Sequence, residues 1–180
     1  VVDSAVSAYA LKKNWNFFVY KYFTKKLFFY DHAANERFVY MPLFYENETR
    51  TLAAYHYWSK NQFSIIKELA SHLPVGMKLY VKEHPGDPGS FSLGFLRRLQ
   101  SIPNIRVIQP FVKGTELIKK CEAIVALEGT SSWEAFLLRK PVVNFGSRAY
   151  FSRSHLVYKV ENPCDLPKTV FRAIQNGSRI

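Results

Sequence analysis

From Arg37 onward, short apolar runs alternate with longer segments whose apolar positions recur at helical spacing. "RFVYMPLF", Arg37 to Phe44, reads as a strand interrupted near Pro42, and "NQFSIIKELASHL" places Phe63, Ile66, Leu69, Ala70 and Leu73 on one helical stripe. "MKLYVKEHP" is a second strand closed by Pro85, "SLGFLRRLQSI" a helix, and "NIRVIQP" a third strand ending at Pro110. A short helix over "KGTELIKKC" leads to a fourth strand, "AIVALEG", and then to a helix, "TSSWEAFLLRK", entered through hydroxyl caps. "PVVNFG" and "HLVYKV" supply a fifth and a sixth strand. "LPKTVFRAIQNG" closes the chain as a helix with Pro167 in its first turn and Gly177 at its end. This alternation predicts an α/β fold with a mainly parallel sheet wrapped on both faces. Right-handed crossovers gather every carboxyl strand end on one edge, where such sheets bind ligands.

Residues 1–36 follow a different pattern. "LKKNWNFFVYKYFTKKLFFYDH" mixes Trp15, Phe17, Phe18, Tyr20, Tyr22, Phe23, Phe28, Phe29 and Tyr30 with Lys12, Lys13, Lys21, Lys25 and Lys26. Two readings stand: a basic aromatic helix lying on an anionic membrane surface, or a helix whose aromatics pack on this domain or another. The organisation expected is therefore a basic aromatic helical segment at 1–36, interdomain or membrane-proximal, followed by one α/β domain at 37–180.

Composition narrows the function classes. The chain has 180 residues, is 48% hydrophobic, and carries a formal net charge of +11. That is enough chain for a substantial core, and the charge favours an anionic partner without choosing among nucleotide, lipid, glycan and nucleic acid. The basic residues are spread along the chain with no nucleic-acid recognition motif, so no nucleic-acid partner is expected. Cys121 and Cys164 are the only cysteines and lack metal-ligand spacing, so neither a disulfide nor a metal centre is expected. No apolar run reaches the ~20 residues that span a bilayer, and the first residues lack the ordered regions of a signal peptide. The expected location is cytoplasmic.

Three strand ends on the predicted edge carry polar chemistry. The first is Lys82-Glu83-His84-Pro85. Strand alternation sends Lys82 and His84 to one side and Glu83 to the other, so cation and imidazole could hold a phosphate; equally, they could form a solvated strand end. No task suggests itself for Glu83. The second is "LEGTSSWEAF", where Gly129 permits close backbone approach and Thr130, Ser131 and Ser132 open a helix whose free N–H groups suit an anion. Glu134 could accept hydrogen bonds from a ribose diol, or could close a capping box with Thr130 or Ser131. The third is "NFGSRAYF", whose Arg148 and Tyr150 could flank a base or a sugar, or form plain loop surface. There is no GxGxxG, Walker, HExxH or CxxC pair, and Gly129 to Ser131 lacks the second glycine of a nucleophile elbow.

Taken in order, "VYMPLFYENET", "LPVGMKLYVKEHPG", "IPNIRVI", "EGTSSWEAFLLRKPVVNFG" and the following Tyr150 resemble the carboxyl-terminal half of bacterial capsule polysaccharide biosynthesis proteins, the family that includes Kdo transferases. The resemblance covers Arg37 to Phe151. It implies the donor-binding half of a GT-B glycosyltransferase, a Rossmann-like three-layer sandwich using a CMP-activated sugar such as CMP-Kdo or a related acidic sugar, with a glycan or glycolipid as acceptor and no cofactor or metal. By similarity to transferases using cytidine-activated sugars, His84 with Pro85 and Ser131 with Ser132 would hold the donor phosphate. Thr130 and Gly129 would lie beside them, Glu134 would meet the ribose, and Lys82 would supply charge. His84 would also serve as the catalytic group at the leaving phosphate, while the general base would come from the other domain. Two features depart from the family pattern: Ser132 stands where a small residue or glycine often precedes the tryptophan, and Glu128 sets an extra carboxylate beside the phosphate site. Two further readings are a CDP-alcohol phosphotransferase of the teichoic-acid type and a catalytically silent membrane- or partner-binding module of the same fold.

Overall fold

A computed structural model describes residues 35–44, 62–86, 88–127, 129–145 and 154–177, together with Leu11, Asn14, Trp15, Phe18, Val19 and Tyr22. Six strands form the sheet: β1 (Phe38–Pro42), β2 (Lys78–Lys82), β3 (Ile105–Ile108), β4 (Ala123–Ala126), β5 (Val142–Asn144) and β6 (Val157–Lys159). Their order is β3-β2-β1-β4-β5-β6, and every pairing is parallel. The helices are α1 (Gln62–His72), α2 (Leu93–Gln100), α3 (Gly114–Lys120), α4 (Thr130–Leu137) and α5 (Leu166–Gly177). The expected parallel α/β sandwich is the observed one.

Strand alternation builds two cores. Val39, Met41, Leu79, Val81, Val107, Ala123, Val125 and Val143 face α1, α2 and α5, meeting Ile66, Leu69, Leu96, Leu99, Val170 and Ile174. Phe38, Tyr40, Tyr80, Ile108, Ile124, Ala126 and Val142 face α3 and α4 through Leu117, Ile118 and Ala135. Because both faces are covered, the strands read as nearly continuous apolar runs rather than as alternating ones. Phe38 stacks on Tyr80 at 4.0 Å between ring centroids. Below them, Glu36 accepts from Tyr80 Oη at 2.7 Å and from Arg106 Nη2 at 3.0 Å, tying the amino ends of three neighbouring strands.

The helical stripe of α1 rotates slightly from its expected composition. Gln62, Ile66, Leu69 and Ala70 are buried, while Phe63 and Leu73 are half-buried against the same core. Gln62 belongs inside because its side-chain amide pairs with both backbone groups of Phe44, at 3.0 and 3.1 Å. Cys121 is buried and Cys164 exposed, and both are free thiols. Most of the aromatic stretch at 1–36 lies outside the described residues; within it, Leu11, Trp15, Phe18 and Tyr22 are exposed. Among the described residues, no helix is long and apolar enough to cross a membrane.

Candidate functional site

Parallel register sets the strand ends almost level. Pro42 pairs with Lys82 and Lys82 with Ile108, while Ala126 pairs with Asn144 and Asn144 with Lys159. Tyr40 pairs with Ile124, so two residues further on Pro42 stands level with Ala126. The crossovers change face between β1 and β4: α1 and α2 cover one side of the sheet, α3 and α4 the other. This is the topological switch point, and the crevice outside its carboxyl ends is where open α/β sheets bind ligands. The loop ending β2 and the start of α4 flank it, separated by β1 and hence by about 10 Å between strand axes.

His84 leaves β2 exposed to solvent, and its Nδ1 accepts a hydrogen bond from the Gly86 backbone N–H at 3.1 Å. An accepting Nδ1 places the proton of the neutral ring on Nε2, which makes Nε2 the donor. Gly86 leaves room for this arrangement: a Cβ there would stand 3.1 Å from His84 Nδ1, so the ring would have to give way. Pro85 and Gly86 are both exposed and turn the chain sharply.

Lys82 and His84 do not end as equal partners on one surface. Lys82 is 2% exposed, and its ammonium donates to the Glu83 carbonyl at 3.1 Å and to the Pro110 carbonyl at 3.2 Å, joining the ends of β2 and β3. Burial lowers its pKa to about 8, partly opposed by Glu83. The ammonium ties the two strand ends together from beneath the edge. Glu83 turns to the α2 side as alternation predicts, and there it does have partners. It is 1% exposed and accepts from Phe91 N–H at 2.9 Å and Gly89 N–H at 3.3 Å. Burial raises its pKa to about 7, against the lowering effect of those backbone donors.

At the other side of the crevice, α4 begins differently from the expectation of hydroxyl caps. Its N-cap is Gly129, with φ 122° and ψ −173°, and no side chain caps the helix. That backbone region is essentially reserved for glycine. Thr130, Ser131 and Ser132 consequently fall in the first turn itself, where backbone N–H groups lack carbonyls of a preceding turn. Thr130 is exposed and Ser131 half-buried, whereas Ser132 is fully buried beside Ala135. The Ser132 hydroxyl has no hydrogen-bond partner among the described residues. Glu134 is half-buried one turn along. A capping box with Thr130 or Ser131 is therefore not formed.

Asn144 is a buried polar residue at the end of β5, level with Ala126. Its signal in the sequence is a polar side chain ending the apolar run "VVN". Arg148, Tyr150 and Glu128 lie outside the described residues. Among the described residues, no three His, Cys, Asp or Glu side chains gather as a metal site.

The profile of the family described as "Capsule polysaccharide biosynthesis protein" matches residues 19–160. Among solved structures, UDP-GlcNAc 2-epimerase from Methanocaldococcus jannaschii is similar with a TM-score of 0.59 at 18% identity, over 79% of this chain and 40% of that one. Thermosulfurimonas dismutans KpsC, beta Kdo 2,7 transferase, is similar with a TM-score of 0.54 at 18% identity, over 92% of this chain and 52% of that one. The chain thus spans about half the length, or less, of these structures, and the likeness is one of fold. No curated protein matches it.

Proposed function

The chain belongs to the capsule polysaccharide biosynthesis protein family, and from that premise we propose that it is the donor-binding domain of a metal-independent GT-B glycosyltransferase for capsule or related surface polysaccharide, using a CMP-activated acidic sugar such as CMP-Kdo. One observation supports this most: two anion-suited features flank the switch point on the same edge of the sheet. One is the His84-Pro85-Gly86 loop, with Nε2 as donor, and the other is the α4 start, opened by Gly129 with no side-chain cap. A phosphate needs donors from more than one direction, and these two features reach the same edge of the sheet from either side of β1.

In this reading His84 Nε2 and the first-turn groups of Thr130, Ser131 and Ser132 hold the donor phosphate. Glu134 meets the ribose, Gly129 and Pro85 shape the two walls, and Lys82 contributes positive potential from below. Breaking the bond between the anomeric carbon and the phosphate leaves negative charge on the phosphate oxygens. Donors already aimed there stabilise that charge in the transition state. His84 acts on the departing phosphate through its Nε2–H hydrogen bond, because with Nδ1 accepting from Gly86 the ring is neutral and keeps its proton. The general base that takes the acceptor's proton, with the glycan or glycolipid acceptor itself, is assigned to a second domain. Peripheral contact with the inner face of the cell membrane through the basic aromatic stretch completes the proposal, on the strength of its lysines and exposed Trp15 and Phe18.

Calorimetric titration with CMP, CDP, UDP and their sugar conjugates tests the donor. Heat with CMP and CMP-sugars is the expected result. Binding of UDP-GlcNAc with none of CMP would overturn the cytidine assignment and favour the chemistry named for the epimerase that shares the fold. Transfer of a phosphoalcohol rather than a sugar would favour the teichoic-acid type of reaction.

A further inference from the structure

Glu83 stands next to His84 in sequence but on the opposite face of the sheet. It is among the few charged side chains in the interior, at 1% exposure. Among the described residues its carboxylate is not paired with an arginine or lysine at hydrogen-bond range; it accepts from two backbone donors further along the chain, and the Ser90 side chain between them also favours its ionised form. Phe91 N–H reaches Oε1 at 2.9 Å and Gly89 N–H reaches Oε2 at 3.3 Å. Those residues close the excursion that begins at His84. Gly89 is buried with φ +88°, and Phe91 stacks on Phe95 of α2 at 4.9 Å. Ser92, the next residue, caps α2 by accepting from Phe95 N–H at 3.1 Å.

We infer that Glu83 is a positioning residue for the phosphate site, its carboxylate closing the loop 84–91 on itself so that His84 stands at the carboxyl edge in the orientation an anion requires. The inference rests on the assignment of His84 to that site. The hydrogen bond from Gly86 to His84 fixes the ring within the loop, but not the loop against the sheet. Glu83 supplies the second constraint, because one end of its bonds lies at β2 and the other at the entrance to α2. A glutamine cannot do the same. Both donors are backbone N–H groups, so they need two acceptor oxygens from one side chain, and a glutamine offers one oxygen and an NH2 that meets an N–H head on. An aspartate has the charge but is one methylene too short to keep both contacts.

The side of the sheet matters as well. A carboxylate beside a phosphate would repel it, whereas here the backbone of β2 lies between the charge and the site, and Lys82 points the other way. The arrangement thus fixes the loop without placing negative charge among the phosphate donors. Removing the carboxylate leaves two N–H groups without their acceptor at a buried place, so the loop must open to solvate them.

Three measurements on the whole chain test this. In the unmodified protein, hydrogen exchange at the Gly89 and Phe91 amides should be slow for loop positions. In Glu83→Gln, nitrogen-edited NMR of His84 should move from a predominantly Nε2–H ring toward a mixture of tautomers, with the amide signals of β1 and β4 unchanged. CMP affinity should fall about tenfold, the loss expected when one hydrogen-bond donor to an anion is misplaced; Glu83→Asp should recover only part of it. A residue that merely stabilised the fold would lower the melting temperature without changing the tautomer signature. Fast exchange at Gly89 and Phe91, or a Glu83→Gln protein with the His84 signature and CMP affinity of the parent, would overturn the inference. If the parent itself fails to bind CMP, the donor assignment falls alone, and the imidazole signature and amide exchange still decide on Glu83.

Discussion

Two glycines on opposite walls of the crevice should respond to alanine in opposite ways. At Gly129 a Cβ would meet nothing within 4 Å, but the residue sits at φ +122° and ψ −173°. The cost of Gly129→Ala is therefore backbone strain alone, about 1–3 kcal/mol for that region. The loss of freedom in the unfolded chain gives back about 0.4–1 kcal/mol. The net destabilisation is centred on about 1.3 kcal/mol, equivalent to roughly 3–5 °C in melting temperature for a chain of this size. At Gly86 the backbone is ordinary and the obstacle is a side chain, since a Cβ would lie 3.1 Å from His84 Nδ1 and 3.2 Å from Cε1. His84 is exposed and can swing aside, so Gly86→Ala should stay within about 1 kcal/mol of the parent, the worth of one hydrogen bond. Its effect should appear instead in binding, because the proposed phosphate site depends on where the ring carries Nε2. Urea unfolding together with CMP calorimetry on both variants separates the two effects. The reasoning fails if Gly129→Ala unfolds at the parent's midpoint, or if Gly86→Ala binds CMP with unchanged affinity.

His84→Ala and Ser131→Ala should each weaken CMP binding by about 1–3 kcal/mol with the fold intact, as measured by calorimetry alongside circular dichroism; full affinity in both would remove the site. Ser132→Ala deletes a buried hydroxyl that has no partner among the described residues, so its unfolding midpoint should hold or rise, and a loss above about 1 kcal/mol would show that the hydroxyl is satisfied after all. Stability should also follow the two buried charges. Glu83, raised to about 7, contributes stability that is complete below its unfolded pKa and is lost as pH rises through about 7, a loss of about 3 kcal/mol. Lys82, lowered to about 8, contributes stability that is complete above its unfolded pKa and is lost as pH falls through about 8. Denaturant midpoints across pH should therefore dip near 7–8, with Glu83→Gln flattening the acid limb and Lys82→Met the alkaline one; parallel curves for parent and variants would contradict both assignments.

The architecture was legible because fully buried parallel strands and amphipathic helices have distinct periods, and each strand here ends on a proline, a glycine or a polar cluster. The convergence of "KEHP" and "GTSS" also followed from topology, since parallel strands put all their carboxyl ends on one edge. What alternation does not encode is how deeply a charged residue sinks at a strand end. Lys82 and His84 share a parity, yet Lys82 is covered because Pro110 and the Glu83 carbonyl give its ammonium two acceptors, while His84 lies past the last paired residue. Glu83 had no visible role for the opposite reason: its partners are backbone N–H groups, which carry no residue-type signature, six and eight positions downstream. The cap of α4 was misplaced on similar grounds. Hydroxyls before a helix usually cap it, but Gly129 takes that place in a conformation only a glycine reaches easily, and this pushes Thr130, Ser131 and Ser132 into the first turn. The displacement has a chemical consequence. A serine at the cap would occupy the first-turn N–H groups with its own oxygen, whereas a glycine at the cap supplies no side-chain oxygen to compete with a phosphate for them.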